Sequence, residues 1–190
     1  MKYFQPLNIP SDYFDKERIY KELEIYFNPN KVSVWKHWGE HTDLLNDEFH
    51  LWLKDLGCKV FFAEVFYTPP NTNMIWHIDT QTQSDFVKIN FVWGSTNHLM
   101  QWGRLKTPKP ITPNVTLAGT KFLEFKDYEV EVVESTTIKT PTVVKIGVPH
   151  RVVNRDTSGR WCLSVNIHDQ HGNRLTIDQA SQVFSVYALG

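Results

Sequence analysis

Cysteine is scarce: Cys58 and Cys162 are the two in 190 residues, and they lie far apart. A disulfide framework is therefore excluded as the organising principle, and a reducing, cytoplasmic setting fits better. Neither belongs to a CxxC pair, so both read as small buried hydrophobes. Long apolar runs are also missing. No stretch nears the roughly 20 residues of a membrane-spanning helix. The opening MKYFQPLNIPSDYF lacks the apolar centre and small-residue cleavage site expected of a secretory signal. Charge of one sign is not in excess, with 20 Lys and Arg against 21 Asp and Glu. That balance argues against nucleic acid or an anionic lipid surface as partner. Repeats, low-complexity tracts and lipidation motifs are absent as well.

What is abundant is aromatic surface. Phe, Trp and Tyr make up 14% of the chain, with seven Trp. This predicts a core or cavity walled by large flat side chains, with Trp93, Trp102 and Trp161 among them. Hydrophobic and charged fractions of 41% and 22% are those of an ordinary folded chain. The length suits one domain, 1–190, with a single core.

The first third reads helical. From Asp15, a plausible N-cap, Ile19, Leu23 and Tyr26 or Phe27 recur at helical spacing, and Asn28-Pro29-Asn30 ends the run. A second helix is expected from about Thr42 to Leu56, with Leu45, Phe49, Trp52, Leu53 and Leu56 on its apolar face. Thr42 would cap its start and Gly57 its end. After Gly57 the pattern changes. The run Lys59–Tyr67 is aromatic and β-branched and stops before Pro69-Pro70. Strand-like runs follow at 74–79, 86–93, 98–102, 120–125, 129–134, 142–146, 151–153 and 160–167, with turns at 94–97, 107–113 and 154–159. Helices first and many short strands afterwards predict an α+β fold, mainly β. The strands form a sandwich or barrel and the helices pack on one outer face. The expected parts are a helical 1–57, a β core 58–170 and a C-terminal extension 171–190.

Within the second run, His77 and Asp79 are two apart, so on a strand they share a face while Trp76 and Ile78 take the other. An imidazole beside a carboxylate can bind a metal from one side. His150, opening another strand region, offers a third ligand. Two His and one carboxylate on one face of Fe(II) leave positions for a bidentate cosubstrate and dioxygen. Arg160 follows His150 by ten positions, and Cys162 and Ser164 share its strand face. A guanidinium there could grip the distal carboxylate of 2-oxoglutarate in a two-pronged salt bridge, with the Ser164 hydroxyl as a further bond. Lys88 and Asn90, also on one strand face, could reach cosubstrate or substrate; such residues are more often structural.

The spacing of His77-x-Asp79, His150 and Arg160 resembles the motif of the Fe(II)/2-oxoglutarate-dependent oxygenases, over about Lys59 to Ile167. The segment Lys88–Trp93 with His98–Trp102 is similar to the subgroup of aspartyl/asparaginyl β-hydroxylases and small bacterial or phage-type hydroxylases. Some of those lack the carboxylate ligand, whereas Asp79 is present here. The resemblance implies a double-stranded β-helix (jelly roll). It also implies hydroxylation of a C–H bond in a small molecule or peptidyl side chain, with release of succinate and carbon dioxide.

Other readings compete. His-x-Asp alone is a weak signal, because a strand histidine is usually structural; the later His, the Arg and the strand-rich setting strengthen it. Arg160 could be an exposed residue paired with a neighbouring acid. A cupin-like metal enzyme that does not use 2-oxoglutarate shares the fold and has no need of Arg160. A non-catalytic jelly-roll module would hold no iron. His37, Glu40 and His41 lack a third ligand for zinc, and His168–His171 reads as a solvated turn.

Overall fold

The computed structural model describes residues 2–24, 27–38, 44–79, 85–107, 113–115 and 121–189, with only the backbone at 36–38. Its two sheets are antiparallel throughout. The larger runs in the order β1 (Phe4–Pro6), β11 (Thr142–Lys145), β6 (Val87–Trp93), β13 (Arg160–Asp169), β3 (Cys58–Thr68), β2 (Ser33–Trp38). The other has seven strands but fewer residues, hence the smaller: β10 (Val130–Thr136), β7 (His98–Leu105), β12 (His150–Asn154), β5 (Trp76–Ile78), β9 (Lys121–Phe125), β8 (Asn114–Val115), with β4 (Thr72–Asn73) also on β12. The expected β-rich α+β class is therefore present. No helix among the described residues is long and apolar enough to cross a membrane.

The helices cover one face of the larger sheet. In α1 (Lys16–Leu23) the Asp15 carboxylate accepts from the Arg18 amide at 3.1 Å, the N-cap the sequence predicts. Ile19 and Leu23 are buried. Of the residues expected to continue this helix, Tyr26 lies outside the described residues, and Phe27 lies past the helix end, stacked on Trp161. α2 (Asp47–Asp55) begins later than expected: Asn46, not Thr42, is its cap, accepting from the Phe49 amide at 3.0 Å. Leu45 is already engaged in a bridge to Phe14, which keeps the preceding backbone out of the helix. Thr42 itself lies outside the described residues. Gly57 closes the helix end at φ +70°, where a side chain would be strained, and its amide reaches the Lys54 carbonyl at 2.9 Å.

Two boundaries change. Residues 1–57 are not purely helical, because β1 pairs with β11 and β2 with β3. Both strands are short, and Val34 and Trp35 carry little periodic signal. The C-terminal extension folds into α3 (Ile177–Val183), started by a reciprocal Thr176–Gln179 capping box. Ile177, Ala180 and Phe184 join Phe49, Leu53, Val65, Leu163 and Val165 in the main core. This core occupies the helix-covered face of the larger sheet. The opposite face, turned toward the smaller sheet, carries different residues.

Candidate metal centre

β5 and β12 bring the expected ligands together. They are antiparallel, and His77 stands directly opposite His150. β5 ends at Ile78, one residue sooner than expected, and Asp79 follows in a bend whose amide bonds the Ile146 carbonyl at 3.4 Å. The two rings lie 4.4 Å apart between centroids. Asp79 Oδ1 is 3.4 Å from His77 Nε2 and 3.6 Å from His150 Nε2. One ligand atom from each residue lies within 4.8 Å of the others.

Protonation decides what such a cluster can hold. His77 Nδ1 is 3.0 Å from the Ile75 carbonyl, and His150 Nδ1 is 2.9 Å from the Val148 carbonyl. A carbonyl oxygen can only accept, so each Nδ1 carries a hydrogen, and each ring in its neutral form turns the Nε2 lone pair inward. Burial, and then the neighbouring His77 ring, pull the His150 pKa down to about 4 against the smaller pull of Asp79. His150 is therefore neutral at pH 7. With both rings neutral, two lone pairs and a carboxylate oxygen face one point. Their separations exceed the roughly 2.7–2.9 Å of a charge-assisted hydrogen bond. That set repels itself unless a cation sits among it, and its chemistry fits a divalent transition metal.

The carboxylate is braced from behind. Lys88 Nζ donates to Asp79 Oδ2 at 2.7 Å and to Glu64 Oε2 at 2.7 Å. Burial alone would raise the Asp79 pKa. The Lys88 ammonium, helped by the two imidazoles, outweighs it and holds the carboxyl well below the usual range. Burial likewise works against the Lys88 charge, and the two carboxylates more than restore it. This corrects the sequence expectation that Lys88 reaches a cosubstrate: its ammonium is already shared between Asp79 and Glu64. Glu64 escaped sequence reasoning, although a single acid within the aromatic and apolar run Lys59–Tyr67 was a visible sign.

Two spaces of different character meet at the triad and share Phe66, Met74, His77 and Asp79 in their walls. One, a narrow cavity of about 40 Å³, runs between the sheets past His150, Asn90, Ser164 and Cys162 to Arg160. Arg160 is 2% exposed, and its Nε and Nη2 have no hydrogen-bond partner. This contradicts the alternative of an exposed, acid-paired arginine. Burial pulls the guanidinium pKa down, partly offset by the Cys162 thiol beside it. Ser164 Oγ donates to Asn90 Oδ1 at 2.6 Å, so the two flank the cavity as a bonded pair. The other, a cleft of about 360 Å³, also reaches His77 and Asp79.

The remaining expectations divide. Cys58 and Cys162 are free and buried, and Cys162 lines the narrow cavity. Trp102 is fully buried, and its Nε1 donates to the Lys145 carbonyl; Trp93 and Trp161 belong to the main core. His168 is no solvated turn residue: it lies buried in β13, its ring stacked on Phe61 at 4.3 Å. The turn begins at Asp169, whose carboxylate accepts from the amides of His171 and Asn173. Glu40, His41 and the side chain of His37 lie outside the described residues. Comparison with protein-family models and with curated proteins gave no match.

Proposed function

We propose that the chain is an Fe(II)- and 2-oxoglutarate-dependent oxygenase that hydroxylates a C–H bond. One observation carries the reading. Three metal-binding atoms converge, and a narrow cavity that they line also reaches a buried guanidinium with two free donors. A metal enzyme that did not use a dicarboxylate would leave that guanidinium without a task. It would also bear the roughly 1–3 kcal/mol cost of each unsatisfied buried donor.

When bound, Fe(II) with 2-oxoglutarate supplies the dioxygen activation that turns C–H into C–OH, with succinate and carbon dioxide as co-products. His77, Asp79 and His150 would hold the ion on one face and leave its other positions open. The Nδ1 bonds to Ile75 and Val148 fix both rings with Nε2 toward the ion. Lys88 occupies Asp79 Oδ2, which leaves Oδ1 as the donor. Arg160 would take the distal carboxylate through Nε and Nη2, with Ser164 and Asn90 as the polar flank. The narrowness of the cavity favours a slim anionic arm over a bulky one.

The topology supports the finer fold reading, a double-stranded β-helix. From β5 onward the chain passes repeatedly between the sheets: β6, β11 and β13 fall in the larger, β5, β7 and β12 in the smaller. The two unpaired, buried cysteines fit a cytoplasmic enzyme.

Anaerobic protein given Fe(II) and 2-oxoglutarate is expected to develop the weak visible charge-transfer band of the chelate, and His77→Ala to lose it. Folded protein that yields neither the band nor succinate from 2-oxoglutarate would overturn the proposal.

A further inference from the structure

The cleft at the triad has a composition of its own. Val34 comes from β2, Phe66 from β3 and Phe122 from β9, while Met74 and Ile75 lie in the connection between β4 and β5. Val32 stands before β2. At about 360 Å³ the space is of the size that small-molecule sites occupy. Ile75 and Val32 are 47% and 45% exposed, so the apolar character extends to the rim. Thr68 and Met74 touch through a hydroxyl-to-sulfur contact at 3.5 Å, and methionine makes an adaptable wall.

Charge accounting narrows the occupant. The ionisable groups among the described lining residues are Glu64, Asp79 and His77. Glu64 and Asp79 already share the Lys88 ammonium, and His77 has given its Nδ1 hydrogen to a backbone carbonyl. Asn73 is the one neutral amide in the wall. A carboxylate or phosphate on the ligand would lose its water and meet two carboxylates with no lysine or arginine among the described lining residues, and an ammonium would have to compete with Lys88 for carboxylates already engaged; both cost affinity. An apolar ligand loses nothing of the kind and covers apolar surface at both wall and rim.

We propose that this cleft binds an uncharged, apolar small molecule and presents one of its C–H bonds to the metal side of His77 and Asp79. The word substrate here rests on the oxygenase reading above; binding in the cleft does not. Arg160 lines the narrow cavity and is not among the described residues of the cleft wall, so the anionic cosubstrate and the apolar substrate have chemically distinct spaces.

The full chain should be titrated with pyrene as a neutral fluorescent probe, with and without Mn(II). Octanol is expected to displace pyrene at least tenfold better than octanoate or octylammonium. Ile75→Asp, at a half-exposed rim position that spares the core, is expected to weaken pyrene binding at least tenfold. With Mn(II) bound, octanol protons should broaden in proton NMR, and Asp79→Ala should abolish the broadening. Equal displacement by either charged chain, or pyrene binding unaffected by Ile75→Asp, overturns the apolar cleft. Protein that binds pyrene with this selectivity but cannot be loaded with Mn(II) or Fe(II) instead overturns the oxygenase reading and leaves the cleft standing.

Discussion

The two faces of β13 are buried to nearly the same depth and serve opposite ends. On the helix side, Leu163, Val165 and Ile167 are at most 1% exposed and sit in the main apolar core. On the inner side, Arg160, Cys162, Ser164, Asn166 and His168 are all at most 7% exposed. Yet Arg160 Nε and Nη2, Asn166 Nδ2 and His168 Nε2 have no hydrogen-bond partner there. Apolar burial on the outer face stabilises the fold. Each unsatisfied polar atom on the inner face opposes it by about 1–3 kcal/mol. Depth of burial therefore does not identify the core; the satisfaction of polar atoms does. Unsatisfied polar atoms kept at such depth mark a surface shaped for something other than stability.

The largest effect expected on the inner face is from Lys88→Met. It strips the cation from two carboxylates that sit almost out of solvent. Breaking a buried pair in this way costs about 3–5 kcal/mol, to be read from urea unfolding of metal-free protein. Saturating Mn(II) should recover part of the loss, because the ion neutralises Asp79; an unchanged deficit with metal would separate Lys88 from the centre.

Arg160→Met should act in the opposite direction. It removes a buried charge whose Nε and Nη2 lack partners and keeps the volume, so stability is expected to rise by about 1 kcal/mol or more. Binding of 2-oxoglutarate, followed by calorimetry, should fall at least tenfold. A destabilised variant would mean that the guanidinium serves the fold, and the contrast between the faces would fail.

A smaller effect concerns pH. Burial pulls His98 and His150 down to about 4, the Arg160 charge adding to the shift at His98. The unfolded chain titrates these groups near 6.5, so between about pH 6.5 and 4 it binds more protons than the folded chain. Stability must then fall as pH falls through that window. Carboxylates held low, such as Asp79 and Asp169, lose their contribution only at lower pH. A drop in melting temperature of several degrees between pH 7 and 5 is expected, smaller in Arg160→Met. A flat profile would remove the claim that these imidazoles are buried neutral.

Much of this arrangement was legible in the sequence wherever a property depends on neighbours within one strand. Two-residue alternation puts His77 beside Asp79, and Arg160 in line with Ser164, whatever the rest of the chain does. Lys88 was misread because its partner is set by tertiary register. Ser164 stands opposite Asn90 on one side of β13 and opposite Glu64 on the other, and this brings β3 and β6 within reach of one ammonium. No local pattern encodes that. The cleft drew its walls from four separate parts of the chain, so no single run announced it. β3 also shifts register opposite Asn166 and Ile167, which lets Val60 join the same core as Ala63 and Val65. Strict alternation would put Val60 on the other face.

The pairing of β5 with β12 has a thermodynamic corollary. The two strands meet at a single register position, His77 opposite His150, although 73 residues of chain separate them. An ion bound there acts as a staple across this seam, adding to the β4–β12 pairing and to the bonds of the Met74 and Asp79 amides to Val152 and Ile146. Occupancy and closure of the seam are then one equilibrium: whatever fills the site tightens the sandwich, and whatever loosens the sandwich releases the ion.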